Sequence, residues 1–182
     1  MSFPSFRFHP DPVASGSVIA SDKKCRCCGR ARDWIYIGPV YAEKALNEAL
    51  CPWCISDGSA HGKYGATFVD TEAFTPNATA ETVDEITQRT PGFASFQQEI
   101  WPECCGEPGV FITPAGIAEI REKYRSMEGE LMTHIVHELK ISGGAAHRFL
   151  ESVHRDQSPS AYVFQCRKCE RHFGYLDFVG SV

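Results

Sequence analysis

No stretch of the 182-residue sequence holds the ~18 consecutive apolar residues that a membrane-spanning helix requires. The opening MSFPSFRFHPDPVASGS also lacks the charged start and continuous apolar run of a secretory signal. These absences predict a soluble, cytoplasmic protein with no membrane partner. Basic charge is not in excess either. Eighteen lysines and arginines against 23 aspartates and glutamates leave a net charge of −5 and a pI near 5.8, which argues against a general nucleic-acid binder. Low-complexity tracts, a phosphate-cradling Gly-rich loop and a nucleophile elbow are all missing. Disorder is excluded for most of the chain, because 43% apolar content can bury one domain or two small lobes.

What the sequence does have is cysteine, nine of them. An odd count in a reducing cytosol argues against a disulfide framework and leaves metal binding as the explanation. Cys25 and Cys28 stand two residues apart with Gly29 following, and Cys51 and Cys54 repeat the spacing. Two intervening residues let one tight turn aim both sulfurs at a tetrahedral ion, and the glycine lets the backbone turn back without a Cβ clash. Two such turns complete a four-thiolate zinc shell. The rival reading, redox chemistry at CPWC on a helix start, lacks a surrounding βαβ pattern and has a second pair beside it. Cys27 is left over and is the alternative to Cys25 as a ligand.

Cys104, Cys105, Cys166 and Cys169 are the remaining thiols, and they predict a second zinc. FQCRKCERHF reads as the tip of a zinc-ribbon hairpin supplying two ligands, with WPECCGE supplying the others. Adjacent residues point apart in regular backbone, so Cys104 and Cys105 need an irregular one, and His172 is the alternative to either.

Between these sites the pattern is helical. WIYIGPVY predicts strand, turn at Gly38–Pro39, and return; residues 42–50 predict a short helix, and another is predicted after Cys54 with Ser56 or Asp57 as cap. Thr82 and Glu85 have capping-box spacing for a helix ended by Pro91–Gly92. Thr113–Pro114 is read as opening a helix, Leu131, Ile135 and Leu139 mark one closed by Gly143–Gly144, and Phe149 and Val153 mark a last short one. AYVFQC and HFGYLDF alternate like strands. The expected fold is α+β, with knuckle-like and zinc-ribbon β-hairpins carrying two Cys-rich sites around a helical middle. It is read as a single domain of three segments: 1–72 a zinc module, 73–160 mainly helical, and 161–182 a hairpin returning to Cys104 and Cys105.

FRFHPDP, CRCCG, YIGPVYA, LCPWCISDGSAH, RTPGF, FQQEIWPECCG and SPSAYVFQCRKCERHFGYLDF, in this order, resemble the CbrC family across almost the whole chain. The resemblance implies a bacterial cytosolic zinc protein without an established reaction, in a family whose namesake is linked to colicin tolerance. In that family a His–Cys pair often stands where this chain has Cys104–Cys105, which implies that both positions are ligands. No catalytic residue carries over.

Enzymatic candidates are weak. His134, His137 and Glu138 share a helical face, but their order is neither HExxH nor its inverse, and a polar helix face accounts for them. His147 and His154 are read the same way, and Asp57 and Ser59 are read as capping residues rather than as a catalytic set with His61. Lys23, Lys24, Arg26, Arg30 and Arg32 crowd the first site and Arg167, Lys168 and Arg171 the second; offsetting thiolate charge explains them without a phosphate ligand. The expectation is a zinc-binding interaction or regulatory protein with a protein partner, recognised around Arg26, Arg30, Arg32, Trp34 and Tyr36. A zinc hydrolase and a nucleic-acid-binding zinc protein are the alternatives.

Overall fold

A computed structural model describes residues 2–74 and 77–179; residues 180–182, the end of the expected C-terminal segment, lie outside the described residues. The chain divides into two compact units, Met1–Ala94 with Glu99–Trp101, and Ser95–Gln98 with Pro102–Val182. Mixed helices and small antiparallel sheets make the fold α+β, as expected.

In the first unit β1 (Val18–Ala20) and β2 (Trp34–Tyr36) pair antiparallel, Val18 opposite Tyr36. The chain leaving β2 does not return along it, contrary to the expectation for WIYIGPVY. Tyr36 folds its hydroxyl onto the Pro39 carbonyl at 2.8 Å. A Cβ at Gly38 would collide with the Tyr36 ring, so the glycine is what lets the chain pass under it. Tyr41 then bridges Thr67, and Leu50 bridges Tyr36. That second bridge displaces the helix expected over 42–50. The Tyr36 N–H takes the Leu50 carbonyl at 2.9 Å, and Leu46 and Leu50 are buried. Tertiary pairing and burial override helix propensity here.

The helix expected after Cys54 instead starts within CPWC. α1 (Pro52–Ser56) has Cys51 as N-cap and Pro52 at N1, where its missing N–H costs nothing. Gly58, at φ +75°, separates it from α2 (Ser59–Tyr64), whose first amide donates to Asp57 Oδ1. α3 (Ala80–Arg89) is capped by Thr79, which accepts the Thr82 N–H at 3.3 Å, so the expected box at Thr82 lies inside the helix. The core joins Tyr36, Leu50, Ile55 and Phe68 to the thiols of Cys25, Cys51 and Cys54.

In the second unit β3 (Glu103–Cys104) and β4 (Glu107–Pro108) form a minimal hairpin. β5 (Val110–Ala115), β6 (Ser160–Gln165) and β7 (His172–Asp177) form an antiparallel sheet in that order, with Ala115 opposite Ala161 and Gln165 opposite His172. Thr113 and Pro114 therefore end a strand rather than open a helix. Val110 and Phe111 pair with Gln165 and Phe164, the register shifts across Ile112, Thr113 and Pro114 themselves pair with Val163 and Tyr162, and α4 (Ile117–Lys123) starts after Gly116, whose N–H donates to Glu119. α5 (Glu128–Glu138) ends at Leu139, and Gly143–Gly144 open α6 (Gly143–Glu151) instead of closing α5. Ile120, Leu131, Ile135 and Leu150 pack with Val163 and Leu176 of the sheet.

The three segments read from the sequence distribute over the units. Residues 1–72 and α3 fall in the first, and the remaining helices and the 161–182 hairpin in the second.

Candidate metal centres

All nine cysteines are free thiols. Eight of them form two groups: Cys25, Cys28, Cys51 and Cys54 within the first unit, and Cys104, Cys105, Cys166 and Cys169 within the second. In each group all four sulfurs lie within 4.8 Å of one another.

The first group is built by a turn and a helix start. The Cys25 N–H donates to the Arg30 carbonyl at 2.9 Å and the Gly29 N–H to the Cys25 carbonyl at 2.7 Å, closing a turn that turns both sulfurs one way. Cys51 at the N-cap and Cys54 inside α1 face it. Cys25 Sγ stands 3.8 Å from Cys54 Sγ, Cys28 Sγ 4.0 Å from Cys51 Sγ, and the Cys51 amide donates to Cys25 Sγ at 3.3 Å. Bonds of ~2.3 Å to a tetrahedral zinc put sulfurs about 3.8 Å apart, so the spacing fits such an ion and is far too long for a disulfide.

The second group repeats the first turn. Cys166 N–H donates to the Arg171 carbonyl at 2.9 Å and Glu170 N–H to the Cys166 carbonyl at 3.0 Å. The opposing pair comes from the β3–β4 hairpin, whose two loop residues, Cys105 at φ +55° and Gly106 at φ +75°, have the double left-handed backbone of a type I′ turn. This is the irregular backbone that two adjacent ligands require. Cys104 Sγ lies 3.8 Å from both Cys105 Sγ and Cys169 Sγ.

Electrostatics show what each group needs. Hydrogen bonding with Cys51 pulls the Cys25 thiol down to about 4, while the same contact pushes Cys51 up and burial pushes Cys54 up to about 12. Burial, then contact with Cys166 and Cys169, raises Cys104 to about 12, and contact with Cys169 raises Cys105. Cys166 falls to about 6: burial opposes its ionisation, but hydrogen bonds from the Cys169 and Lys168 amides win. Cys25 and Cys166 ionise readily while Cys51, Cys54, Cys104 and Cys105 resist, so four thiolates in either group would need a cation at their centre.

The other candidates are elsewhere. Cys27 is half-buried with Sγ 3.5 Å from Ser59 Oγ, outside the first group. His172 sets its ring against Tyr124, 5.0 Å between centroids, outside the second. His147 bonds the Gly143 carbonyl within its own helix, and His61 Nδ1 the Ala66 carbonyl. Neither His134 nor His137 belongs to a donor group among the described residues. Tyr36, expected on the exposed surface, is fully buried because it closes the core beneath β2. Two aromatics escaped sequence reasoning: Phe3, whose ring meets both Trp34 and Trp53, and buried Phe8 beside buried His9. The alternation of Phe6 and Phe8 in the proline-rich arm was the available signal.

The chain matches, over residues 3–178, the family described as uncharacterised protein family UPF0167. It is 38% identical over 176 residues to UPF0167 proteins of Mycobacterium bovis and Mycobacterium tuberculosis, covering 96% of this chain and 93% of each relative. It is 37% identical over 177 residues to one of Pseudomonas aeruginosa, covering 96% of this chain and 97% of that one. No solved structure matches the chain.

Proposed function

The chain belongs to the UPF0167 family, and from that premise we propose that it is a cytoplasmic protein holding two zinc ions, one in each four-cysteine group, that acts by binding a protein partner. The observation that carries this is the closed donor set. Each group offers four sulfurs at the spacing of a tetrahedron and, among the described residues, no further donor in the group, so an ion bound by all four keeps no position at which to activate water or polarise a carbonyl. That favours a binding or regulatory role over hydrolysis. The cytoplasmic reading rests on the reduced cysteines; among the described residues no helix is long and apolar enough to cross a membrane. The partner surface is the exposed side of the first centre. Arg26 is tied to the Ala45 carbonyl and Tyr36 is buried, which leaves Arg30, Arg32 and Trp34, a mixture enriched at interface centres. Tolerance to colicin, the property attached to the CbrC namesake, is part of this proposal and is testable by growth with and without the gene.

Native mass spectrometry is expected to show two zinc ions per chain. A variant carrying Arg30→Glu and Arg32→Glu, with both zincs retained, is expected to lose a partner that the intact protein captures. Equal recovery of every partner would refute the surface, and one zinc per chain would refute the two-site reading.

A further inference from the structure

Beside the first centre, and outside its four sulfurs, a cleft of about 330 Å³ is lined by Phe3, Arg30, Arg32, Asp33, Trp34 and Trp53. Its aromatic walls are held in place. Phe3 sets its ring edge-on to both indoles, 5.8 Å from Trp34 and 5.7 Å from Trp53, and Trp53 Nε1 donates to the Ser2 carbonyl at 3.0 Å. The Arg32 guanidinium lies over the Trp53 ring at 5.3 Å. Asp33 sits in a left-handed backbone at φ +63°, its carbonyl accepting the Ser21 N–H at 2.9 Å.

Two guanidiniums against one carboxylate leave the lining with one positive charge. An aromatic face beside a cation recognises a planar ring that carries an anion. The volume stands at the low end of the ~300–1,000 Å³ of small-ligand sites, enough for one ring system with one appended group. Offsetting thiolate charge does not account for Arg30. In the second centre Arg171 reaches a sulfur, at 4.0 Å from Cys104 Sγ, whereas the exposed Arg30 side chain makes no hydrogen bond or ion pair among the described residues. Asp33 is the one carboxylate in the lining, and a carboxylate pairs with two neighbouring N–H donors at once. The guanine edge presents two such donors, N1–H and the 2-amino group; the adenine edge does not.

We propose that this cleft binds a guanine nucleotide. The base packs against the aromatic lining of Trp34 and Trp53, Asp33 accepts from N1–H and the 2-amino group, and the phosphate meets Arg30. The cleft shares Arg30, Arg32 and Trp34 with the partner surface proposed above, but this proposal goes beyond that reading and rests on the lining of the cleft. Failure of the partner pull-down leaves it standing, and failure of the titration below leaves the zinc reading standing.

The test is calorimetric titration of the purified full-length protein, zinc content verified, with GMP, AMP and inorganic phosphate. GMP is expected to bind with a Kd below ~1 mM and to quench tryptophan fluorescence. AMP is expected to bind at least ~10-fold more weakly, the loss of one bidentate base contact. Arg30→Ala, at an exposed position, should leave metal content and circular dichroism unchanged and weaken GMP binding by ~10-fold. Asp33→Asn should bring GMP and AMP within ~3-fold of each other. A 5′-phosphorylated, guanine-ended single strand run beside GMP separates the two sources of this chemistry, and the tighter of the two is the ligand. The proposal is overturned if neither GMP nor the strand end binds at ~10 mM, or if both variants bind GMP as the intact protein does.

Discussion

Gly29 and Glu170 hold the same place in two equivalent turns. Each donates its backbone N–H to the carbonyl of the first cysteine of its pair, at 2.7 Å and 3.0 Å, and each has a left-handed backbone, at φ +72° and φ +60°. Only one of the two is glycine. A side chain in that region costs ~1–2 kcal/mol, part of which glycine forfeits through its freer unfolded chain. Glu170→Gly is therefore expected to stabilise by up to ~1 kcal/mol. Gly29→Ala, whose Cβ would meet open space, is expected to cost up to ~1 kcal/mol by the same balance. Denaturant midpoints at fixed zinc check both, and an earlier midpoint for Glu170→Gly would sink the argument.

The two centres differ in exposure, and so should their metal. Cys25, Cys51 and Cys54 are buried, while Cys105 and Cys169 are exposed. A chelator can reach the second centre without unfolding, whereas the first has to open its core. Release followed with a chromogenic chelator should show one equivalent leaving fast and one slowly, the slow phase coinciding with loss of far-ultraviolet ellipticity. A single phase carrying both equivalents would contradict this.

The centres were legible because two-residue spacing leaves a turn little freedom: Cys25–Cys28 and Cys166–Cys169 close with the same hydrogen bonds. Cys104–Cys105 was legible as a problem, and Gly106 after it already signalled the two-residue turn that solves it. Elements fixed by distant partners were not legible. Leu46 and Leu50 have helical spacing, yet Leu50 is claimed by Tyr36, and the Thr113–Pro114 pair looks like a helix start until β6 pairs with it. The burial of His9 has no periodic signature at all, since its neighbours adopt no helix or strand.

His9 makes acid sensitivity a second test of the first unit. It is fully buried, with Nδ1 2.7 Å from the Pro91 carbonyl and Nε2 2.6 Å from Ser15 Oγ, which suits a neutral ring donating from Nδ1 and accepting at Nε2. Burial lowers its pKa from the ordinary 6.5 to about 4, outweighing the Pro91 carbonyl and Asp11. The folded pKa is depressed, so between these values the unfolded chain binds more protons. The contribution is complete above 6.5 and lost as pH falls to 4. It amounts to about 2 kcal/mol between pH 7.5 and pH 5. Urea unfolding at the two pH values should show this slope in the intact protein and its absence in His9→Gln. Since any metal loss in acid is common to both, equal slopes would refute the assignment.

Cys27 offers a control within the first centre. Its sulfur is half-buried against Ser59 and outside the group of four, so Cys27→Ser should retain two zincs and lose under ~1 kcal/mol. Cys51→Ser removes the sulfur that also shapes the Cys25 thiolate and should lose the zinc of that centre. Zinc loss in Cys27→Ser with retention in Cys25→Ser would reverse the ligand assignment.

Arg171 should tune the second centre alone. Four thiolates around one divalent ion leave a formal charge of −2, and in an exposed site water screens part of it. The Arg171 guanidinium lies 4.0 Å from Cys104 Sγ through one terminal nitrogen, and Glu130 holds the other through a 2.5 Å contact. Removing the charge favours protonated over ionised thiols and so speeds metal loss, but half-exposure of the arginine keeps the effect modest. Arg171→Met is expected to weaken zinc at the second centre by up to ~10-fold, the lower bound for an outer partner of a metal ligand. The fast phase of chelation should accelerate and the slow phase stay put. Raising salt should shrink the difference between Arg171→Met and the intact protein, because screening removes the same charge that the substitution does. A salt-independent difference would mean that Arg171 acts by packing instead.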